Sequence, residues 1–146
     1  MQVVVRAADL TSMSRHGEAS YPDEGAGFLI GRMEDGQVFV EAILPLENRR
    51  EREARFNRYE LGPQDFARAE LEAARRGLDV VGVFHSHPDH PAQPSQFDLD
   101  NALPHFSYLI VSVERGIARL TRAWWLRPDR SVFNEAMLVV AEDAEV

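Results

Sequence analysis

Residues 79–88 read Asp-Val-Val-Gly-Val-Phe-His-Ser-His-Pro. A nearly continuous apolar run leads straight into two histidines. That pattern suits a central strand covered on both faces. Side chains alternate along a strand, so His85 and His87 share one face, on the parity of Val81 and Val83. Two imidazoles on one face at a strand end can share a metal ion. Beyond a loop rich in Pro and His, Ser95 opens a short helix that Pro104 ends, and Asp98 falls about one turn into it. Two nitrogens and one carboxylate oxygen leave a position open for water, which is the pattern of catalytic rather than structural zinc.

The same residues carry plainer readings. Paired histidines in a polar loop are also found simply solvated. Ser95-Gln96-Phe97-Asp98 is also a capping box, with Ser as N-cap and Asp three residues on. The two roles are compatible, because a carboxylate can ligate through one oxygen and stay near the helix N-terminus. His90 and His105 have no partner at useful spacing and read as surface residues.

Working outward, the elements on either side are short and alternate in type. Residues 2–6 read as a strand, and Asp9 as the cap of a helix that Tyr21-Pro22 stops. Residues 26–33 and 37–46 form a hairpin around Glu34-Asp35-Gly36-Gln37. Phe56 to Leu61 reads as a further strand. Gly62-Pro63 opens a helix on which Ala67, Leu71, Ala74 and Leu78 recur at helical spacing, ended by Gly77. Strands at 107–113 and 117–125 join tightly through Arg115-Gly116, and a last strand covers about 132–140. Alternation predicts one residue of Trp124-Trp125 in the core and the other on the surface. The acidic tail from about residue 141 is expected to fray. Strands interleaved with helices predict an α/β or α+β domain with a mixed sheet, and a length of 146 residues predicts one domain, 1–146.

Composition removes several chemistries. There is no Cys, so thiolate nucleophiles, disulfides and Cys-type zinc sites are excluded. All 16 cations are Arg, which excludes a Schiff-base or P-loop lysine. His16-Gly17-Glu18 has the His-x-Glu of zinc deaminases, but their Pro-Cys-x-x-Cys partner is impossible here. A net charge of −8 makes nucleic acid and anionic membranes poor partners. Nothing reads as a signal peptide or membrane span, so the expected location is cytoplasmic. Within this acidic chain, residues 49–58 hold five Arg. They read either as a solvated, salt-bridged loop or as a docking patch for carboxylates, with which Arg pairs bidentately.

The full string His85-Ser86-His87-Pro88, six residues, Ser95, two residues, Asp98 resembles the JAMM motif of the MPN+ metalloproteases. Upstream, Pro22-Asp23-Glu24-Gly25-Ala26-Gly27-Phe28-Leu29-Ile30-Gly31 is similar to that family's Pro-x-Glu-x-x-Gly-x-Leu-x-Gly segment, and Asn48 also fits. Ala26 departs from the pattern, since many members carry a Cys there that is not a metal ligand. The resemblance covers about residues 3 to 125 in element order. It implies an MPN/JAMM-like fold, a curved mixed sheet flanked by helices with a cytidine-deaminase-like core. It also implies one Zn²⁺ per chain on His85, His87 and Asp98, Glu24 as proton carrier, and Ser95 as hydrogen-bond donor to the oxyanion. The implied reaction is hydrolysis of a peptide or isopeptide bond after the C-terminal Gly of a ubiquitin-like, sulfur-carrier type protein. Arg49, Arg50 and Arg52 are then candidates to contact that partner or its tail. The alternatives are a non-catalytic MPN scaffold and a zinc peptidase acting on small peptides.

Overall fold

Alternating burial builds the sheet. Val3 and Val5 are fully buried on β1 (Gln2–Arg6), and Val38 and Val40 repeat the pattern on β3 (Gln37–Leu46). The computed structural model describes residues 1–47 and 61–142. The remaining elements are α1 (Ala7–Ser20), β2 (Ala26–Glu34), α2 (Pro63–Arg75), β4 (Asp79–Pro88), α3 (Gln96–Asn101), β5 (Ser107–Glu114), β6 (Ile117–Leu126) and β7 (Phe133–Ala141). The expected strand at 56–61 lies outside the described residues except for Leu61, which is in coil. The acidic tail beyond Glu142 also lies outside them.

The strands run β1-β3-β2-β4-β5-β6-β7 and close into a barrel through parallel pairing of β7 with β1. Parallel pairs β1·β3 and β4·β5 make the sheet mixed. The curved mixed sheet that the family resemblance implies is thus closed on itself. The β2–β3 and β5–β6 hairpins have two-residue turns, Asp35-Gly36 and Arg115-Gly116. All four φ angles are positive, as a type I′ turn requires.

Both faces of the sheet are covered. On one face α1 lies against β1, β3, β4, β5, β6 and β7, and its Met13 joins Val3, Val5, Leu29, Phe84 and Val111. On the other, α2 covers Phe28 and Val83 with Ala69 and Phe66. Full burial of Phe28 or Phe84 contributes roughly 1.5–3 kcal/mol each. Trp124 and Trp125 pack against opposite clusters, and both are half-buried. The predicted core-and-surface split therefore fails, because neither face of β6 is left to solvent there.

Three local expectations are corrected. Arg6, not Asp9, occupies the N-cap of α1. Asp9 sits in the first turn and pairs with Arg6 at 3.0 Å. The α2 stripe of Ala67, Leu71 and Ala74 is exposed, and Asp65, Ala69 and Ala73 are the buried positions instead. Finally, β4 carries a bulge. Leu29 pairs with Gly82 and Ile30 with Val80, so Val81 is skipped and turns toward the Phe84 cluster. Val83 faces the other way, with Ala26 and Phe28.

Burial pushes the Tyr108 hydroxyl up to about 12, and that oxygen accepts the Leu103 N–H at 2.7 Å. The sign follows from a folded value above the unfolded value of about 10. The contribution is complete below pH 10 and is lost as pH rises toward 12. Roughly 2–3 kcal/mol of stability should disappear across that window, a loss absent from Tyr108→Phe. Urea melts of both proteins at pH 9 and pH 11.5 measure it.

Candidate metal centre

The bulge at Val81 sets the phase of everything that follows on β4. From Val83 onward alternation is regular, so His85 and His87 project to one side. Ala26 at the start of β2 pairs across the ladder with His85. Continuing that antiparallel register outward brings Gly25 opposite Ser86, and the Ser86 amide donates to Gly25 O at 2.8 Å. Glu24 is two residues from Ala26, so it shares the face of the two histidines. The tight approach of β2 to β3 requires Gly31, where a Cβ would lie 1.8 Å from Phe39 O. This accounts for one glycine of the segment that carries Glu24.

Asp98 arrives from α3. Ser95 is the N-cap, and its Oγ accepts the Asp98 N–H at 3.1 Å. Asp98 Oδ2 in turn accepts the Ser95 N–H at 2.8 Å. The capping box and the site role coexist on one carboxylate. Oδ2 also lies 3.1 Å from His87 Nε2, while Oδ1 is 3.5 Å from His85 Nε2.

Glu24, His85, His87 and Asp98 are all buried, and their ligand atoms lie within 4.8 Å of one another. The imidazole tautomers follow from their partners. His87 Nδ1 is 2.8 Å from Pro91 O and must donate to that carbonyl. His85 Nδ1 donates to Glu24 Oε1 at 3.0 Å. Both Nε2 atoms thus face the centre, the arrangement that outer hydrogen bonds impose on metal-binding histidines.

The electrostatics call for a cation. Burial alone would lower the His85 pKa, but the Asp98 carboxylate and the Glu24 hydrogen bond outweigh it and hold it above the ordinary histidine value. Burial acts to raise Asp98. The His85 charge, the His87 hydrogen bond and the Ser95 amide overcome it and hold Asp98 well below the usual carboxylate range. Asp98 Oδ1 is buried without a hydrogen bond, and two carboxylates share a site from which water is largely excluded. A divalent ion with N/O ligands at about 2.0–2.2 Å would separate its donors by roughly 3.3 Å. Each Asp98 oxygen lies near one of the two Nε2 atoms at about that distance, Oδ2 at 3.1 Å from His87 and Oδ1 at 3.5 Å from His85. The residues therefore fit a metal ion of the zinc class.

The centre opens onto a cleft of about 430 Å³ lined by Glu24, His87, Pro91, Ser95 and Phe97. Ser95 is exposed at its wall. Asn48 and the cluster of Arg49, Arg50 and Arg52 lie outside the described residues. His90 and His105 are exposed, as expected. His16 takes no part in the centre. Its Nε2 lies 3.2 Å from Ala26 O and 3.1 Å from Leu46 O, fastening α1 to β2 and β3. Sequence reasoning missed two contributors. Pro91 O fixes the His87 ring, and Ser86 grips Gly25 from the opposite face of β4. Strand parity together with the Gly25 position is the signal that points to Ser86.

The chain belongs to the family described as prokaryotic homologs of the JAB domain, whose model matches residues 6–127. It is similar to a probable TtuB-protein conjugate cleaving protease of Thermus thermophilus, at 32% identity over 64% of this chain and 58% of the relative. It is also similar to a desampylase of Pyrococcus furiosus, at 29% identity over 56% of each chain. The chain thus spans less than two thirds of the length of these relatives. A solved protein from Salinibacter ruber shares 45% identity and a TM-score of 0.73, over 94% of this chain and 90% of that one. One from Desulfitobacterium hafniense reaches a TM-score of 0.83 at 26% identity, over 98% and 95%. A JAB1/MPN domain protein from Archaeoglobus fulgidus matches the fold at a TM-score of 0.56 and 19% identity, over 97% and 100%.

Proposed function

We propose that this chain is a zinc-dependent JAMM-type hydrolase. Its reaction is cleavage of a peptide or isopeptide bond after the C-terminal Gly of a ubiquitin-like protein of the sulfur-carrier type. The observation that carries the reading is the buried convergence of Glu24, His85, His87 and Asp98 beside an open cleft. The names of the two relatives support a protein conjugate as substrate. A cytoplasmic location is part of the reading.

His85, His87 and Asp98 would hold the metal, which when bound polarises a carbonyl and acidifies water. Each of the three is oriented by a further hydrogen bond, with Glu24, Pro91 O and the Ser95 amide respectively. Glu24 accepts a proton from the attacking water as the water oxygen bonds to the scissile carbonyl carbon. It returns that proton to the amine nitrogen as the C–N bond breaks. The Ser95 oxygen already accepts the Asp98 N–H, so its own O–H can turn to the cleft and donate to the developing oxyanion.

The test is incubation of zinc-loaded protein with a ubiquitin-like carrier extended past its Gly-Gly, with mass spectrometry of the products. Cleavage after Gly that stops on chelation is expected. Cleavage of short peptides alone would favour the small-peptide reading, and cleavage of neither would favour a scaffold.

The same assay reads the Arg cluster. Replacing Arg49, Arg50 and Arg52 with Ser should raise KM and flatten its salt dependence, with a smaller change in kcat. Remote charges aid encounter and ground-state binding more than chemistry. Equal KM and equal salt dependence would return the cluster to a solvated loop.

A further inference from the structure

Ser86 sits between the two histidines, yet its side chain points away from them. Its Oγ accepts the Gly25 N–H at 2.8 Å, and its backbone N–H donates to Gly25 O at 2.8 Å. Ser86 thus holds both polar groups of the residue that follows Glu24. Resting on the function proposed above, we propose that Ser86 is a positioning residue for Glu24: its hydroxyl fixes the Gly25 amide and thereby aims the Glu24 carboxylate at the reaction centre.

The surroundings give the hydroxyl this role. Ser86 and Gly25 are both buried. Behind Ser86, α1 passes so close that a Cβ on Gly17 would lie 3.0 Å from Ser86 Cβ and 3.1 Å from a Val113 methyl. On the far side, a Cβ on Gly25 would come 2.6 Å from Ser20 Oγ. Such packing leaves little space for a water to replace the hydroxyl. Removing it strands a buried N–H, which the chain relieves by shifting the 20–26 segment. A displacement of about 1 Å in a proton-transferring group can cost on the order of 10²-fold in rate. The metal ligands lie on the opposite face of β4, and His87 and Asp98 keep their hydrogen bonds to Pro91 O and the Ser95 amide, so the effect should fall more on chemistry than on metal binding.

The experiment compares zinc-loaded wild type with Ser86→Ala, Glu24→Gln and the double variant, on a ubiquitin-like carrier extended past its Gly-Gly by a fluorescent peptide. Ser86→Ala is expected to keep one zinc per chain and a KM within about twofold, and to lose roughly 10–100-fold in kcat. Its Gly25 amide, followed by NMR, should exchange at least about tenfold faster than in the wild type. The double variant should be no slower than Glu24→Gln alone, because Ser86 acts only through Glu24. If Ser86→Ala is too unstable to assay, Ser86→Cys fills the same space with a weaker acceptor and is measured in its place. An unchanged kcat in the variant lacking the hydroxyl, or losses that multiply in the double variant, would overturn the inference. If Glu24→Gln itself turned over normally, the proposed function would fail first. If Glu24→Gln is inactive and Ser86→Ala is normal, only the role of Ser86 fails.

Discussion

Glu24→Gln is expected to keep its zinc and lose about 10²-fold or more in turnover. The substitution preserves size, and its amide oxygen can still accept the His85 Nδ1–H that Glu24 Oε1 now accepts at 3.0 Å. The three proposed ligand atoms therefore keep their places. What disappears is a carboxylate able to take up and release a proton, and general acid–base catalysis is worth typically 10²–10⁴-fold. Zinc by elemental analysis and kcat by single-substrate kinetics separate the two effects. Turnover at the wild-type rate would remove Glu24 as proton carrier. Loss of zinc with the activity would instead make it a metal ligand.

His87→Ala should abolish stoichiometric zinc and all measurable cleavage while leaving the protein folded. The ring supplies the Nε2 that faces Asp98 at 3.1 Å and is locked by Pro91 O at 2.8 Å. With it gone, two ligand groups remain, below the three that catalytic zinc sites provide. The fold should survive, because β4 is also anchored by Val83 and Phe84 in the two core clusters and by pairing with β2 and β5. That contrasts with small zinc domains, whose folding free energy is largely metal binding. Elemental analysis with far-ultraviolet circular dichroism is the measurement. Unchanged zinc would remove His87 from the ligand set, and an unfolded apo protein would show that the metal is structural.

The elements were readable one at a time for local reasons. Asp35-Gly36 and Arg115-Gly116 announce two-residue turns because positive φ selects such residues. Ser95 and Asp98 announce a helix start because a short polar side chain can satisfy an exposed amide. On α2 helical spacing alone does not select the buried face. Two stripes recur at helical spacing, and the one containing Leu71 is the exposed one. Packing on Phe28 and Val83 uses Phe66 and Ala69 instead, and small alanines let the helix approach the sheet.

The residue types at the centre, their spacing and the common face of His85 and His87 were set by the sequence alone, since strand alternation and capping are local rules. Three things were decided only by the tertiary structure. The bulge at Val81 exists because β2 imposes its register on β4, a pairing of residues some fifty positions apart in sequence. Barrel closure depends on the two ends of the chain meeting as β1 and β7. The burial that forces Glu24, His85, His87 and Asp98 together, and places Ser86 behind them, comes from α1 and α3 closing over opposite faces of one strand. Periodicity specifies which way a side chain points along its own element. What it meets there is set by long-range packing, which no local pattern encodes.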